Sequence, residues 1–294
     1  MNRNEKVQRK QDIKMAIRRL LPNWFLRLVR RPQVPLKKKL SFLAEPRVLP
    51  TEPVKLETLA IIVPCFEHAR YINQAFESIV RQTRLPDEVI FIDDCSPDNT
   101  TEVLNGLITD YEATNPGQIK FLVSRNEKNQ GQALSINKAV ELTTADLVMI
   151  LNDDDYLLHD TVETTLILFQ RHPDLALVGG TNIEFHGFEA PTEANRLIKE
   201  MFQSNEIDIK ITSPAEALKY EDFNSLNMTH SGSTFVRTKA IAAGLYRLKK
   251  DRIIVYSDRD FQIRLNLLYP AGTSDKISFC FWRNDSSVDN GLFT

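Results

Sequence analysis

Two apolar runs in this chain end in clustered carboxylates. Glu88-Val89-Ile90-Phe91-Ile92 stops at Asp93-Asp94, and Leu147-Val148-Met149-Ile150-Leu151 stops at Asn152-Asp153-Asp154-Asp155. Each run has the length and apolar continuity of a buried strand. A fold that accommodates both is an open parallel α/β sheet, because ligands there bind in the crevice outside the carboxyl ends of the strands. Three adjacent carboxylates repel one another, so the triplet calls for a cation or cationic group to meet it. Taken alone it also fits a solvated loop or a cap on a helix near His159; the second acidic strand end is what favours a shared crevice.

Around these runs strand and helix signals alternate. Leu59 to Val63 reads as a strand, Tyr71 to Gln82 as a helix and Glu88 to Ile92 as a strand. A second helix opens at Ser96-Pro97, with Ser96 as cap and Pro97 at the first helical position. Ile119 to Val123 is a third strand, Gly131 to Leu142 a third helix and Asp146 to Leu151 a fourth strand. This order predicts an α/β fold, a three-layer sandwich around a mostly parallel sheet. With 294 residues, 42% of them hydrophobic, the chain can fill one large core.

Charge divides the chain. Residues 1–57 carry 15 Lys and Arg against 5 Asp and Glu, a net of +10, whereas the whole chain has a formal charge of −2. Within the arm, residues 1–31, the residues Ile13, Ile17, Leu20, Leu21, Trp24, Phe25 and Leu28 follow helical spacing among Lys14, Arg18, Arg19, Arg27, Arg30 and Arg31. Pro22 kinks this helix or divides it in two. Such a basic amphipathic arm suits an anionic membrane surface through residues 13–31; docking of the same stripe on protein is the competing reading. No nucleic-acid-binding fold accompanies it, so nucleic acid is not an expected partner. Residues 32–57, with Pro32, Pro35, Pro46, Pro50 and Pro53, read as a linker, and the globular body occupies 58–294. Cys65, Cys95 and Cys280 show no paired spacing, and no run is long enough to span a bilayer. The expectation is a cytoplasmic protein, peripheral on the inner face of the membrane.

The body resembles the family-two glycosyltransferases of the GT-A fold, a Rossmann-like sandwich, from about Leu59 to about Val288. Ile61-Ile62-Val63-Pro64-Cys65-Phe66-Glu67 is similar to the family's Val-Pro-x-Tyr-Asn strand end. Ser78 to Thr83, Glu88 to Ile90 and Asp93-Asp94-Cys95-Ser96-Pro97-Asp98-Asn99-Thr100 resemble its next signatures in order. Asn129-Gln130-Gly131 with Asn137 repeats an Asn-x-Gly spacing, and the acidic triplet falls at the metal motif. Two positions depart: the family's Asn is Glu67 and its Gly is Cys95.

The resemblance implies a nucleotide-sugar donor held by Pro64, Phe66, Glu67, Asp93, Asp94, Asn129, Gly131, Asn137, Asn152 and Asp153, with Asp94 recognising a uracil-type base. It implies Mg2+ or Mn2+ held by Asp154 and Asp155, a hard cation suited to oxygen ligands and to a departing diphosphate; Asp154 is the preferred ligand, and a shifted alignment would use Asp153 and Asp155. Residues 58–156 would form the nucleotide half and 157–294 the acceptor half. Tyr256-Ser257-Asp258-Arg259-Asp260 resembles the family's acidic helix start and gives Asp258 the role of catalytic base, with Asp260 as the alternative. The competing account of Asp258 is a charge stabilising a helix N-terminus. The expected reaction is metal-dependent inverting sugar transfer to a glycan or lipid-linked acceptor in cell-envelope synthesis.

Ser231 to Arg237 and Gly244-Leu245-Tyr246 resemble acceptor-side elements, while Asp285 stands where many relatives carry a metal-assisting His. His68, His159, His172, His186 and His230 lack metal-ligand spacing and read as surface or packing residues. Two other classes compete. A nucleotidyltransferase needs a basic, Gly-rich phosphate loop after the first strand, and Pro64-Cys65-Phe66-Glu67-His68 is no such loop. A non-catalytic sugar-nucleotide binder needs no base or metal ligand, yet Asp258 and Asp154 are both present.

Overall fold

The computed structural model describes residues 57–186, 207–220, 226, 228–246 and 257–283. The basic arm, the Pro-rich linker apart from Glu57, and Asp285 lie outside the described residues.

The first half alternates strand and helix: β1 (Leu59–Cys65), α1 (Ile72–Val80), β2 (Glu88–Asp93), α2 (Thr100–Thr114), β3 (Lys120–Arg125), α3 (Gln132–Leu142) and β4 (Leu147–Ile150). β1 pairs parallel with β2 and with β4, and β2 pairs parallel with β3. Every residue of β1 is buried, as expected for a strand with neighbours on both sides and helices on both faces. Its alternation defines the layers. Leu59, Ile61 and Val63 join the cluster containing Ile72, Phe76 and Leu104 from α1 and α2; Ile62 joins the opposite cluster with Ile136 and Val140 of α3. In α1, Ile72, Ala75, Phe76 and Ile79 recur at helical spacing and are buried, and the Phe76 ring stacks on Phe91 and Phe121. Truncating such a ring costs about 3–5 kcal/mol.

The second half reads β5 (Tyr156–Leu157), α4 (Thr161–Arg171), β6 (Leu177–His186), β7 (Lys210–Thr212), α5 (Pro214–Ala217), β8 (Thr234–Val236), α6 (Arg237–Ala243), α7 (Ser257–Leu268) and β9 (Ala271–Arg283). The sheet order is β3-β2-β1-β4-β8-β6-β9-β5, with β7 also paired to β9. β8 runs antiparallel between β4 and β6, so the sheet is parallel through β4 and mixed beyond it. β6 and β9 resume parallel pairing, with a register irregularity between Gly179 and Thr181.

The second helix begins later than its Ser96-Pro97 signal, at Thr100. Ser96 has another use: its N–H donates to Asp93 Oδ1 at 2.8 Å, and its hydroxyl accepts the Glu67 N–H at 3.1 Å. Asp98 takes over the helix start, its Oδ1 accepting the Thr100 N–H at 3.2 Å.

Candidate active site

Parallel register brings the ends of β1, β2 and β4 to one rim of the sheet. Cys65 stands opposite Asp93, and Ile62 opposite Ile150. The segments that follow, Phe66 to His68, Asp94 to Ser96 and Asn152 to Asp155, therefore share that rim. The two acidic clusters far apart in sequence are brought together there.

Asp153 binds back to the β1 loop. Its Oδ2 accepts the Phe66 N–H at 3.1 Å, and its Oδ1 lies 2.8 Å from His68 Nδ1. Burial pushes the Asp153 carboxyl above the usual range, while His68 and the Phe66 N–H pull it down. Asp154 is half-buried. Among the described residues, His68, Asp153 and Asp154 form a group that could hold a metal ion, their ligand atoms all within 4.8 Å of one another.

Asp155, expected beside Asp154 as a ligand, is absent from that group. It is fully buried, and its Oδ2 accepts the Asn152 amide at 3.0 Å and the Ser231 hydroxyl, whereas Oδ1 is buried with no hydrogen-bond partner among the described residues. Burial, then the Asp154 charge, raise its carboxyl well above the ordinary range against those two hydrogen bonds. Asn152 acts as a junction: its Oδ1 accepts from Gln132 Nε2 at 2.8 Å, and its N–H donates to Ser231 Oγ at 3.0 Å.

At the end of β2 the two acids differ. Asp93 is fully buried and accepts from the Thr101 hydroxyl and the Arg125 guanidinium, while Arg125 also donates to the Ser96 carbonyl at 2.7 Å. It fastens β2 to α2 and β3. Asp94 accepts the Gln130 N–H at 2.9 Å, the Gly131 N–H at 2.7 Å and the Asn126 amide at 2.8 Å. These bonds fold the Asn129-Gln130-Gly131 loop over the strand end, with Asn129 Oδ1 accepting the Gly131 N–H at 3.1 Å and Gly131 at φ 87 opening α3.

Pro64 is buried opposite Ile92, near the strand end where its missing N–H is tolerated, and Phe66 beyond it is 38% exposed. The two departures from the family pattern carry a common signature: Glu67 (φ 60) and Cys95 (φ 64) both occupy the left-handed region that Asn and Gly tolerate best. Cys65 is buried, and burial followed by the Asp153 and Asp93 charges push its thiol well above its usual range, which disfavours a thiolate. Asn137 lies within α3. It pins Tyr246 across 109 residues, donating to the Tyr246 carbonyl at 2.7 Å and accepting its N–H at 3.0 Å.

On the other side of Ser231, Asp258 lies in the first turn of α7 with Asp260. Asp260 is bound to Arg264 at 2.9 Å. The Asp258 charge acts on two buried groups, His230 and Tyr246, whose rings meet edge to face at 5.9 Å. Neither His230 ring nitrogen nor the Tyr246 hydroxyl has a hydrogen-bond partner among the described residues. The segment around Ser231 thus lies between the acidic triplet and Asp258. The sequence pattern gives His68 only a surface or packing role and Ser231 only an acceptor-side one, whereas His68 joins Asp153 and Asp154 and Ser231 binds Asp155; the place of His68 in the loop directly after β1 is the signal that points to the rim.

The family model for glycosyl transferase family 2 matches residues 60–241. Similar proteins include chondroitin synthase of Pasteurella multocida, 33% identical over 128 residues that make up 44% of this chain and 12% of that protein. An uncharacterized glycosyltransferase of Haemophilus influenzae is 24% identical over 206 residues, 65% of this chain and 71% of its own length. Another from that organism is aligned over 37% of its length, so the chain spans well under two thirds of several relatives. Among solved structures, S. aureus TarS in complex with UDP-GlcNAc has a TM-score of 0.59 at 18% identity, covering 81% of this chain and 62% of that one. The mannosyltransferase PcManGT of Pyrobaculum calidifontis, in complex with GDP-Man and Mn2+, has a TM-score of 0.56 at 16% identity, covering 87% of this chain and 65% of that one. At such identities the likeness concerns the fold alone.

Proposed function

The chain belongs to glycosyl transferase family 2, and from that membership and the rim geometry we propose that it moves a sugar, with inversion, from a nucleoside-diphosphate donor to an acceptor hydroxyl. The observation that carries this reading is the convergence of His68, Asp153 and Asp154 beside the end of β2. The residues fit a divalent cation. Ligands on one octahedral ion at about 2.1 Å lie about 3–4 Å apart, and one ligand atom from each of His68, Asp153 and Asp154 lies within 4.8 Å of the others. Asp153 and Asp154 would hold the cation, which neutralises charge on the departing diphosphate.

The chain's own groups supply the remainder. Asp94 is oriented at the rim by donors from Asn126, Gln130 and Gly131, and this reading gives it the N–H of a uracil as a further donor. Exposed Phe66 offers the base an aromatic face. Asp258 takes the proton of the acceptor hydroxyl on the face opposite the leaving nucleotide. Asp155 and Asn152 shape the triplet through Ser231 and Gln132. A glycan acceptor is in keeping with the chondroitin synthase likeness.

No helix of the described residues is long and apolar enough to cross a membrane. We assign membrane attachment to the basic arm, each basic residue near an anionic surface adding about 1 kcal/mol. Flotation with anionic vesicles should be lost when Arg27, Arg30 and Arg31 are replaced by Gln; unchanged flotation would remove the arm from this role.

Turnover of a panel of nucleotide sugars, followed as release of nucleoside diphosphate with Mn2+, tests the reaction. Asp258→Ala should reduce kcat by about 10²–10⁴, and Asp154→Ala should abolish the dependence on added cation. Full turnover by both variants would refute the reading.

A further inference from the structure

His68 reaches the rim from a different segment than the acidic triplet, and it arrives held in place. Its Nδ1 is 2.8 Å from Asp153 Oδ1 across 85 residues of chain. The other oxygen of that carboxylate is fixed by the Phe66 N–H at 3.1 Å, so Asp153 is held at both ends. The His68 carbonyl accepts the N–H groups of Tyr71 at 2.9 Å and Ile72 at 3.1 Å, which ties its backbone to the start of α1. Its ring meets Tyr71 edge-on at 5.6 Å, and the Arg70 guanidinium lies 4.5 Å from the centre of the same tyrosine ring. The side chain is 18% exposed, closed in but not sealed from solvent. A group fixed by its own neighbours before any ligand arrives loses little freedom when it binds one.

One ligand atom from each of His68, Asp153 and Asp154 falls within a single 4.8 Å group, a set that could hold an ion. The set offers two hard carboxylate oxygens and one imidazole nitrogen. Magnesium selects oxygen and water, whereas first-row transition ions also accept imidazole.

We infer that His68 is a nitrogen ligand of the cation site, completing a set with Asp153 and Asp154 that favours manganese over magnesium. The inference rests on the metal-dependent reading above and adds a ligand to it from the loop after β1. To ligate, the imidazole is neutral, and any proton it shares with Asp153 passes to solvent as the ion enters.

Pulsed electron paramagnetic resonance of the full chain loaded with Mn2+ and UDP tests this directly, because a coordinated imidazole nitrogen couples to the manganese spin. The expected result is a directly bound nitrogen in the native protein that vanishes in His68→Ala and in His68→Asn. Asn can still bond to Asp153 but offers no imidazole. By calorimetry, both variants should weaken Mn2+ binding about 10–100-fold and Mg2+ binding by much less. A native spectrum without nitrogen coupling, or His68→Asn binding Mn2+ as the native protein does, overturns the inference. Asp154→Ala separates the two levels. If it abolishes Mn2+ binding while the His68 variants bind normally, only the role of His68 fails. If Asp154→Ala binds Mn2+ normally, or the native protein binds none, the metal-dependent reading falls and this inference with it.

Discussion

Ser231 donates its hydroxyl to Asp155 across 76 residues and accepts the Asn152 N–H at 3.0 Å, tying the acidic end of β4 to the segment that approaches β8. Ser231→Ala removes both interactions and leaves a fully buried carboxylate with one donor fewer. An unsatisfied buried polar group costs about 1–3 kcal/mol. The urea midpoint of Ser231→Ala should fall by an amount in that range, and turnover should fall with it. A variant as stable as the native protein would mean that this link carries no weight.

Cys95 holds φ at 64 with a side chain that gains little there, since its thiol reaches the Glu127 carbonyl only at 3.7 Å. The left-handed region costs an ordinary residue about 1–2 kcal/mol, partly offset by the greater freedom glycine has when unfolded. Cys95→Gly should therefore raise the unfolding free energy by about 0.5–1 kcal/mol. A lower melting temperature for this variant would contradict the account of strain.

Burial lowers the basicity of His230, opposed by the Asp258 charge and assisted by Arg259. The folded protein thus holds His230 neutral at a pH where the unfolded chain is already charged. Stability from this group is complete above the unfolded value near 6.5 and is lost as pH falls through that value toward the folded one. His230→Gln cannot titrate, so its urea midpoint should decline less between pH 7.5 and pH 5 than that of the native protein. Equal declines would remove His230 from the acid sensitivity.

The parallel half of the fold was legible because its signals are local. β1, β2 and β4 are short, mostly apolar runs, β3 holds a shorter one at Phe121 to Val123, and α1 between the first two has an apolar stripe. The reversal at β8 was not, because a three-residue buried strand carries no direction in its side-chain pattern. At the site, residue type announced Asp94 and Asp154 but not which oxygen faces what. Asp155 looks identical to Asp154 in sequence, yet it turns inward to Asn152 and Ser231. Asn137 carries a donor-site spacing, and its bonds to the Tyr246 backbone span 109 residues that no local pattern links. His68 reads as a surface or packing residue in the sequence because its partner Asp153 lies 85 residues away, a proximity created by strand register.

The most direct test of the central claim is a crystal structure of the full chain with UDP and Mn2+. The account predicts the ion about 2.2 Å from an Asp154 oxygen and bound to the diphosphate. It places the uracil between Phe66 and Asp94, with the Asp258 carboxylate opening on the same cavity. A nucleotide seated away from this rim, or Asp94, Asp154 and Asp258 facing separate surfaces, would contradict it.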